Sequence, residues 1–170
     1  MKEFYLNTKR VSFHIWEPSD IVIAKQLWQD PEVSKYICAK GIFSEEEVEN
    51  RLLSEVSNQS KYGVQYWPFL HANTHELIGC CGFRPYNSNG LEFGIHIRSP
   101  FWRRGYGAEA GSTAISYCLK NLQPGLITAG HSPKNTASEH LLIKLGFVFS
   151  HCEYYEPTGL NHPTYFYKGN

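Results

Sequence analysis

The sequence predicts an α+β (mixed α/β) domain, with helices flanking one mostly antiparallel sheet. Three observations lead there. Residues 64–98 contain three successive strand-like segments joined by turn residues. Helical periodicity precedes that block and returns after Pro100. Finally, 170 residues is about one domain's worth of chain, and no linker, repeat or low-complexity tract divides 1–170. A hydrophobic content of 42% against 19% charged residues suits a packed core rather than disorder.

In chain order, residues 11–16 alternate as a half-buried strand does. Asp20 is placed to cap a helix over 21–29, and Asp30-Pro31 to start a second, short one. Ser44 and Glu47 have capping-box spacing, with Phe43 and Val48 set for a hydrophobic staple, so a helix over about 45–58 follows. Strands are expected over 64–71, 76–84 and 91–98, the last two joined by a hairpin at Asn89-Gly90. Ala108, Gly111, Ile115, Cys118 and Leu122 mark one face of a long helix that Pro124-Gly125 ends. A strand over 126–131, a helix over 137–145 capped by Gly146 and a strand over 147–154 complete the order. Residues 164–168 are placed to close a terminal hairpin across the loop holding Pro157 and Gly159.

The formal net charge is zero, which argues against a nucleic-acid binder working through a broad basic face. The amino terminus lacks the apolar run of a signal peptide, and no segment approaches the roughly 20 apolar residues of a membrane span. The cysteines, Cys38, Cys80, Cys81, Cys118 and Cys152, are odd in number and lack metal-ligand spacing. The expectation is reduced thiols, a cytoplasmic protein, no metal and neither membrane nor nucleic acid as partner.

The segment Trp102-Arg103-Arg104-Gly105-Tyr106-Gly107-Ala108 opens the long helix. Its glycines permit a tight turn and remove side chains that would block a ligand. The amides of the helix's first turn and the positive end of its dipole suit a phosphate, and Arg103 and Arg104 add charge. A glycine-capped helix start with two solvated arginines is the bland alternative. A P-loop needs Lys-Ser or Lys-Thr after its last glycine, but Ala108-Glu109 stands here. A dinucleotide fingerprint fails on spacing, and on its position after antiparallel hairpins.

With Asn135-Thr136-Ala137-Ser138 and Lys144-Leu145-Gly146-Phe147 further on, the chain resembles the GNAT superfamily of N-acetyltransferases, above all its ribosomal-protein alanine N-acetyltransferase group. Trp102 stands where the family's loop usually has Gln or Arg, as an aromatic-Trp pair does in that group. The resemblance spans roughly residues 10–168. It implies a sheet whose two central parallel strands, 91–98 and 126–131, splay apart to admit the pantetheine arm of acetyl-coenzyme A. It further implies that main-chain groups of Ile95, His96 and Ile97 hold the pantetheine amides. Trp102 and the amides of Arg103, Arg104, Gly105, Tyr106, Gly107 and Ala108 would hold the pyrophosphate, with Asn135 and Ser138 nearer the sulfur.

Transfer to an amine needs a base or water relay, a donor for the oxyanion and a proton for the departing thiolate. Glu92 and His96 share one strand face by period-2 alternation and are both candidate bases, with His131 a third. Ser138 matches a proposed general acid of the ribosomal-protein enzymes; a local helix bond is its plain alternative. Cys80 and Cys118 fall outside the motifs, so direct transfer without an acetyl-enzyme is expected. Glu45, Glu46, Glu47 and Glu49 are placed to attract a cationic amine, although acids also favour a helix's first turn through its dipole. Among the many aromatics, a few of Tyr66, Trp67, Phe69, Tyr86, Tyr154, Tyr155, Tyr165 and Tyr167 are expected to line the acceptor groove. The implied partners are acetyl-coenzyme A and a primary amine, free or at a protein amino terminus, with the enzyme a monomer or homodimer. The competing reading is a non-catalytic acyl-coenzyme A sensor or assembly module.

Overall fold

Adjacent strand residues face opposite ways, and in the middle of this chain both directions are apolar. The computed structural model describes residues 1–156 and 158–169, with the backbone alone for 3–5. In β3 (Tyr66–His71), Trp67 and Phe69 enter one core cluster while Tyr66 and Leu70 enter another. In β4 (Leu77–Asn87), Cys81 and Phe83 join the first cluster and Cys80 the second. Strands buried on both faces read as unbroken apolar runs, which is why Cys80 and Cys81 sit side by side without sharing a face.

β1 (Lys2–Asn7), β2 (Val11–Ile15), β3, β4 and β5 (Gly90–Ile97) form an antiparallel meander, each pairing with the next. β6 (Leu126–Gly130) then joins β5 in parallel. β8 (Leu160–Tyr167) inserts between β6 and β7 (Phe147–Tyr155), both antiparallel to it. Among the described residues the sheet therefore runs β1-β2-β3-β4-β5-β6-β8-β7. One face is covered by α4 (Tyr106–Asn121), which buries Ala110, Ala114, Ile115 and Cys118 against Trp67, Phe83 and Phe93. The other is covered by α1 (Ile21–Trp28) and α3 (Glu45–Tyr62), which bury Leu27, Trp28, Val48 and Leu52 with Tyr66 and Cys80. The short α2 (Pro31–Ser34) and α5 (Thr136–Lys144) frame what lies between. The expected mixed architecture with one parallel strand pair is present. Among the described residues, no helix is long and apolar enough to cross a membrane.

Local signals held at α3, where Glu47 N donates to Ser44 Oγ at 3.2 Å and Ser44 N to Glu47 Oε2 at 2.7 Å. Asp20 behaves otherwise than expected. Its side chain makes no cap bond to α1. It accepts instead from Glu17 N at 2.8 Å and from the Met1 ammonium at 2.8 Å, closing a one-turn 3₁₀ helix over Pro18–Asp20. β1 went unread because its pattern is broken by charge, and its pairing to β2 is what makes it a strand. The hairpin at Asn89-Gly90 exists, but Asn87 pairs with Gly90, so Ser88 and Asn89 make the turn. Gly90 serves close approach there: a Cβ would lie 2.7 Å from Asn87 Oδ1. The terminal hairpin is longer than residues 164–168 suggested; Gly159 lies in its turn, and Pro157 falls outside the described residues.

A buried carboxylate ties the two layers together. Glu55 of α3 is fully buried, and its Oε2 accepts from Tyr66 N at 2.8 Å. Its Oε1 takes Arg84 of β4, from Nε at 2.9 Å and also from Nη2. Gln65 completes the seam, donating to Glu55 O at 3.1 Å and accepting from Trp16 N at 2.7 Å. Removing one partner of a buried pair leaves the other charge uncompensated. Glu55→Ala is therefore expected to destabilise the fold by about 3–5 kcal/mol, read as a lower urea midpoint at unchanged denaturant slope. A loss within about 1 kcal/mol, the scale of an exposed pair, would show that the seam carries little.

Candidate active site

The site begins where a ladder stops. β5 and β6 are in register from Gly90↔Leu126 to Phe93↔Ala129 and no further, although β5 continues to Ile97. On its other side β5 stays paired with β4 throughout, Ile95 opposite Cys81, His96 opposite Cys80 and Ile97 opposite Gly79. Main-chain bonds to one antiparallel neighbour come from alternate residues, so the remaining groups of the 94–97 stretch turn toward the gap. A backbone-sized ligand can pair there as a strand would.

The loop after β5 is built for an anion. Arg103 and Gly105 both take left-handed backbone, φ 60° and 82°. Glycine adopts that conformation without cost, whereas Arg103 adopts it against the usual preference. α4's ladder opens with Glu109 N donating to Gly105 O at 3.1 Å. The amides of Tyr106, Gly107 and Ala108 therefore have no acceptor within the helix, and they sit at its positive end. Trp102, Arg103, Gly105, Tyr106, Gly107 and Ala108 all line the same cleft of roughly 590 Å³; Arg104 does not. Arg104 instead faces outward, its carbonyl accepting from Arg10 Nη1 at 3.1 Å.

Trp102 has a role the sequence did not give it. Its indole Nε1–H donates to Ile97 O at 2.7 Å, fastening the free end of β5 to the loop. Arg10, from the β1–β2 turn, steadies the helix start from behind. It stacks 4.6 Å from the Tyr106 ring centroid and bonds Glu109 Oε2 through Nε at 2.6 Å. Burial alone would raise the Glu109 carboxyl, but hydrogen bonds from Thr8 and Arg10 prevail and hold it low.

Asn135 and Ser138 reach the cleft from the start of α5. Asn135 is primarily a cap, its Oδ1 accepting from Ser138 N at 3.2 Å. Among the described residues the Ser138 hydroxyl makes no hydrogen bond, unlike Ser112 and Thr113, which bond back to their own helix. The local helix bond weighed as its plain alternative is absent among the described residues, and Ser138 lines the cleft.

Glu92 and His96 do share a strand face and both line the cleft. Each keeps some exposed surface. Burial raises the Glu92 carboxyl, Arg84 across the ladder pulls it partly back, and Glu153 pushes it up again. No hydrogen bond or ion pair engages it among the described residues. His96 differs: burial, then Arg51 and Arg84, lower it well below an ordinary histidine. Its Nδ1 lies 3.3 Å from the Trp28 Nε1–H and 3.5 Å from Cys80 Sγ, both donors. Nδ1 therefore accepts, and Nε2 carries the proton. His131 is buried with Nδ1 donating to Ser132 O at 2.8 Å and Nε2 accepting from Tyr165 at 3.2 Å, so it has no free nitrogen.

Several expected participants stand elsewhere. None of Glu45, Glu46, Glu47 and Glu49 lines the cleft. Glu45 pairs with Lys25 at 2.9 Å and Glu47 closes its capping box, which is what carboxylates do at a helix start. Tyr66, Tyr86, Tyr154 and Tyr155 line the cleft, while Trp67 and Phe69 are core. Cys80 is nearer the site than its sequence position suggested, yet burial raises its thiol far above the reactive range. Unforeseen were Arg51 and Arg84, and the close fit of the Tyr66 ring into the space a Gly94 side chain would need. Their only sequence signal was the i, i+4 placement of Arg51 and Glu55 on one helix face.

The family model of the acetyltransferase (GNAT) domain matches residues 10–148, and the chain belongs to that family. It is an acetyltransferase, which disfavours the non-catalytic reading. It is 30% identical over 145 residues to an uncharacterized N-acetyltransferase, p20, of Bacillus licheniformis, covering 84% of this chain and 81% of that protein. Solved structures share the architecture. Ribosomal-protein-S5-alanine acetyltransferase from Vibrio fischeri superposes with a TM-score of 0.77 at 21% identity, over 100% of this chain and 97% of that one. RimL, a ribosomal L7/L12 alpha-N-protein acetyltransferase solved in complex with coenzyme A, gives 0.78 at 11% identity over 94% of each chain. Neighbours of the ribosomal-protein group thus appear, as the resemblance led one to expect.

Trp102→Phe keeps the ring and removes the bond to Ile97 O. Such a bond contributes about 0.5–1.5 kcal/mol, so calorimetric titration should show coenzyme A binding weakened by roughly two- to tenfold with the melting temperature little changed. Unaltered affinity would mean that the strand end is held without it.

Proposed function

We propose that the protein transfers an acetyl group from acetyl-coenzyme A to a primary amine, on a small molecule or a protein amino terminus, by direct attack. The single observation that carries this is an unpaired carboxylate, Glu92, raised by burial and standing at the fork of the parallel strands. The fork and the glycine loop fit the donor: main-chain groups of Ile95, His96 and Ile97 for the pantetheine arm, and the amides of Arg103, Gly105, Tyr106, Gly107 and Ala108 for the pyrophosphate.

In this reading the amine nitrogen forms a bond to the thioester carbon and the C–S bond breaks. Glu92 takes the proton shed by nitrogen, directly or through a water. The Ser138 hydroxyl gives a proton to the departing thiolate. His96 serves as a donor through Nε2–H and not as the base, because its Nδ1 is already occupied. Such a donor can steady the tetrahedral oxygen together with strand amides. The cysteines are free, and the deeply buried Cys80 is a poor nucleophile, which supports transfer without an acetyl-enzyme. We further place the enzyme in the cytoplasm, with 1–170 acting as one catalytic domain.

A base must be deprotonated to work, and the Glu92 carboxyl is shifted upward. Thiol release should therefore fall on the acid side through an ionisation raised from the ordinary carboxylate value. Glu92→Gln should abolish that limb and lower kcat by about 10²–10⁴-fold, with coenzyme A affinity retained. A Glu92→Gln enzyme with wild-type kcat and an unaltered acid limb would sink this assignment.

A further inference from the structure

Among the positive charges that line the cleft, Arg51 is one that the proposed transfer does not use. Arg51 lines the cleft from α3, with its guanidinium 5.4 Å from the Trp28 ring centroid and 5.1 Å from that of Phe43. Its Nε is buried without a hydrogen-bond partner. Among the described residues Arg51 forms no ion pair. The carboxylate one helical turn along, Glu55, is fully committed, with Oε1 on Arg84 and Oε2 on the Tyr66 amide. Glu32, also at the cleft wall, is paired with Lys35 at 2.5 Å. A buried guanidinium N–H left without an acceptor is costly, and an anion entering the cleft would supply that acceptor.

The position says which molecule brings it. The ring that Arg51 stacks on is Trp28, whose indole bonds His96 at 3.3 Å. The cation is thus one indole away from the strand face that holds Glu92 and His96, and it belongs to α3 rather than to the glycine loop. A guanidinium held beside aromatic rings keeps its N–H groups for a carboxylate, which it can receive in two parallel bonds. With Arg84 balanced by Glu55, Arg51 is the guanidinium on this side of the cleft that is left without a carboxylate among the described residues.

Resting on the proposed transfer reaction, we propose that the acceptor amine carries a carboxylate, as an amino acid or an acidic amine does, and that Arg51 binds it. Arg51 is then a specificity residue: it orients the acceptor so that the amine meets Glu92 and the thioester. The acidic cluster at the start of α3 has no part in this, and a purely cationic acceptor such as a polyamine is disfavoured by like charge.

Binding and turnover are read separately. On coenzyme A-loaded protein, calorimetry compares N-acetylglycine, N-acetyl-leucine and N-acetylphenylalanine, as product mimics, with their carboxamides. At least one acid should bind about tenfold or more tightly than its amide, a preference that Arg51→Met erases and Arg51→Lys partly keeps. Equal binding of all acids and amides by the wild type overturns the proposal without any variant. So does a preference that survives in Arg51→Met. The same amino acids and amino-acid amides, unacetylated, are then tested for acceptor-dependent thiol release. Acids should be the better acceptors, and Arg51→Met should lower kcat/KM for acids to within about twofold of the amides while leaving the amides nearly unchanged. Equal losses for both would assign Arg51 a merely structural role. Intact carboxylate binding with no thiol release from any amine would remove the transferase reading and leave the anion site standing.

Discussion

Everything distinctive about this molecule follows from two neighbouring strands that pair over four residues and then part. A sheet interior cannot leave main-chain amides and carbonyls empty without large cost. The parting of β5 from β6 after Phe93 and Ala129 is therefore stable only if something else meets those groups. β4 takes those on one side, the Trp102 indole takes the Ile97 carbonyl, and the rest face a cleft that a chain-like ligand can fill. The loop that turns from β5 into α4 then places free amides at the far end of the same cleft. An extended arm ending in a phosphate is the shape these two features share.

Behind the fork lies a polar seam that would be prohibitive if any member were missing. Glu55 is inside the protein because three donors, Arg84 Nε, Arg84 Nη2 and the Tyr66 amide, converge on its two oxygens. Arg84 in turn lies 4.1 Å from the Tyr66 ring centroid, and Tyr66 leans over Gly94 at the fork. The same desolvation that makes this seam demanding separates the roles of Glu92 and His96. It pushes a carboxyl up and a histidine down away from its charged form, so two titratable groups on one strand face come to differ in function.

The parts of the site legible in the sequence are those set by local backbone demands. A glycine turn before a helix, the Asn135–Ser138 motif at the next helix, and two residues four apart on one strand face all show themselves within a short window. What stayed hidden depends on elements meeting in space. Trp28, Tyr66, Cys80, Arg84 and Arg51 come from α1, β3, β4 and α3, and nothing in their spacing announces that they surround His96. Asp20 was misread because its best partners, the chain's own amino terminus and the Glu17 amide, outcompeted the helix it precedes. β8 was read short because Pro163 interrupts it; that proline is tolerated beside Thr164, where the ladder to β6 ends.

The contact of Arg10 with Glu109 and Tyr106 joins residues 99 positions apart or nearly so. The anion cradle consequently cannot mature while the chain is being built up locally; it waits for the amino-terminal hairpin to dock across most of the domain. Long-range closure of this kind is slow, because loop entropy is spent before contacts return anything. A donor molecule that binds only the finished cradle holds that late contact in place, coupling the occupancy of the site to the persistence of the fold's earliest strands.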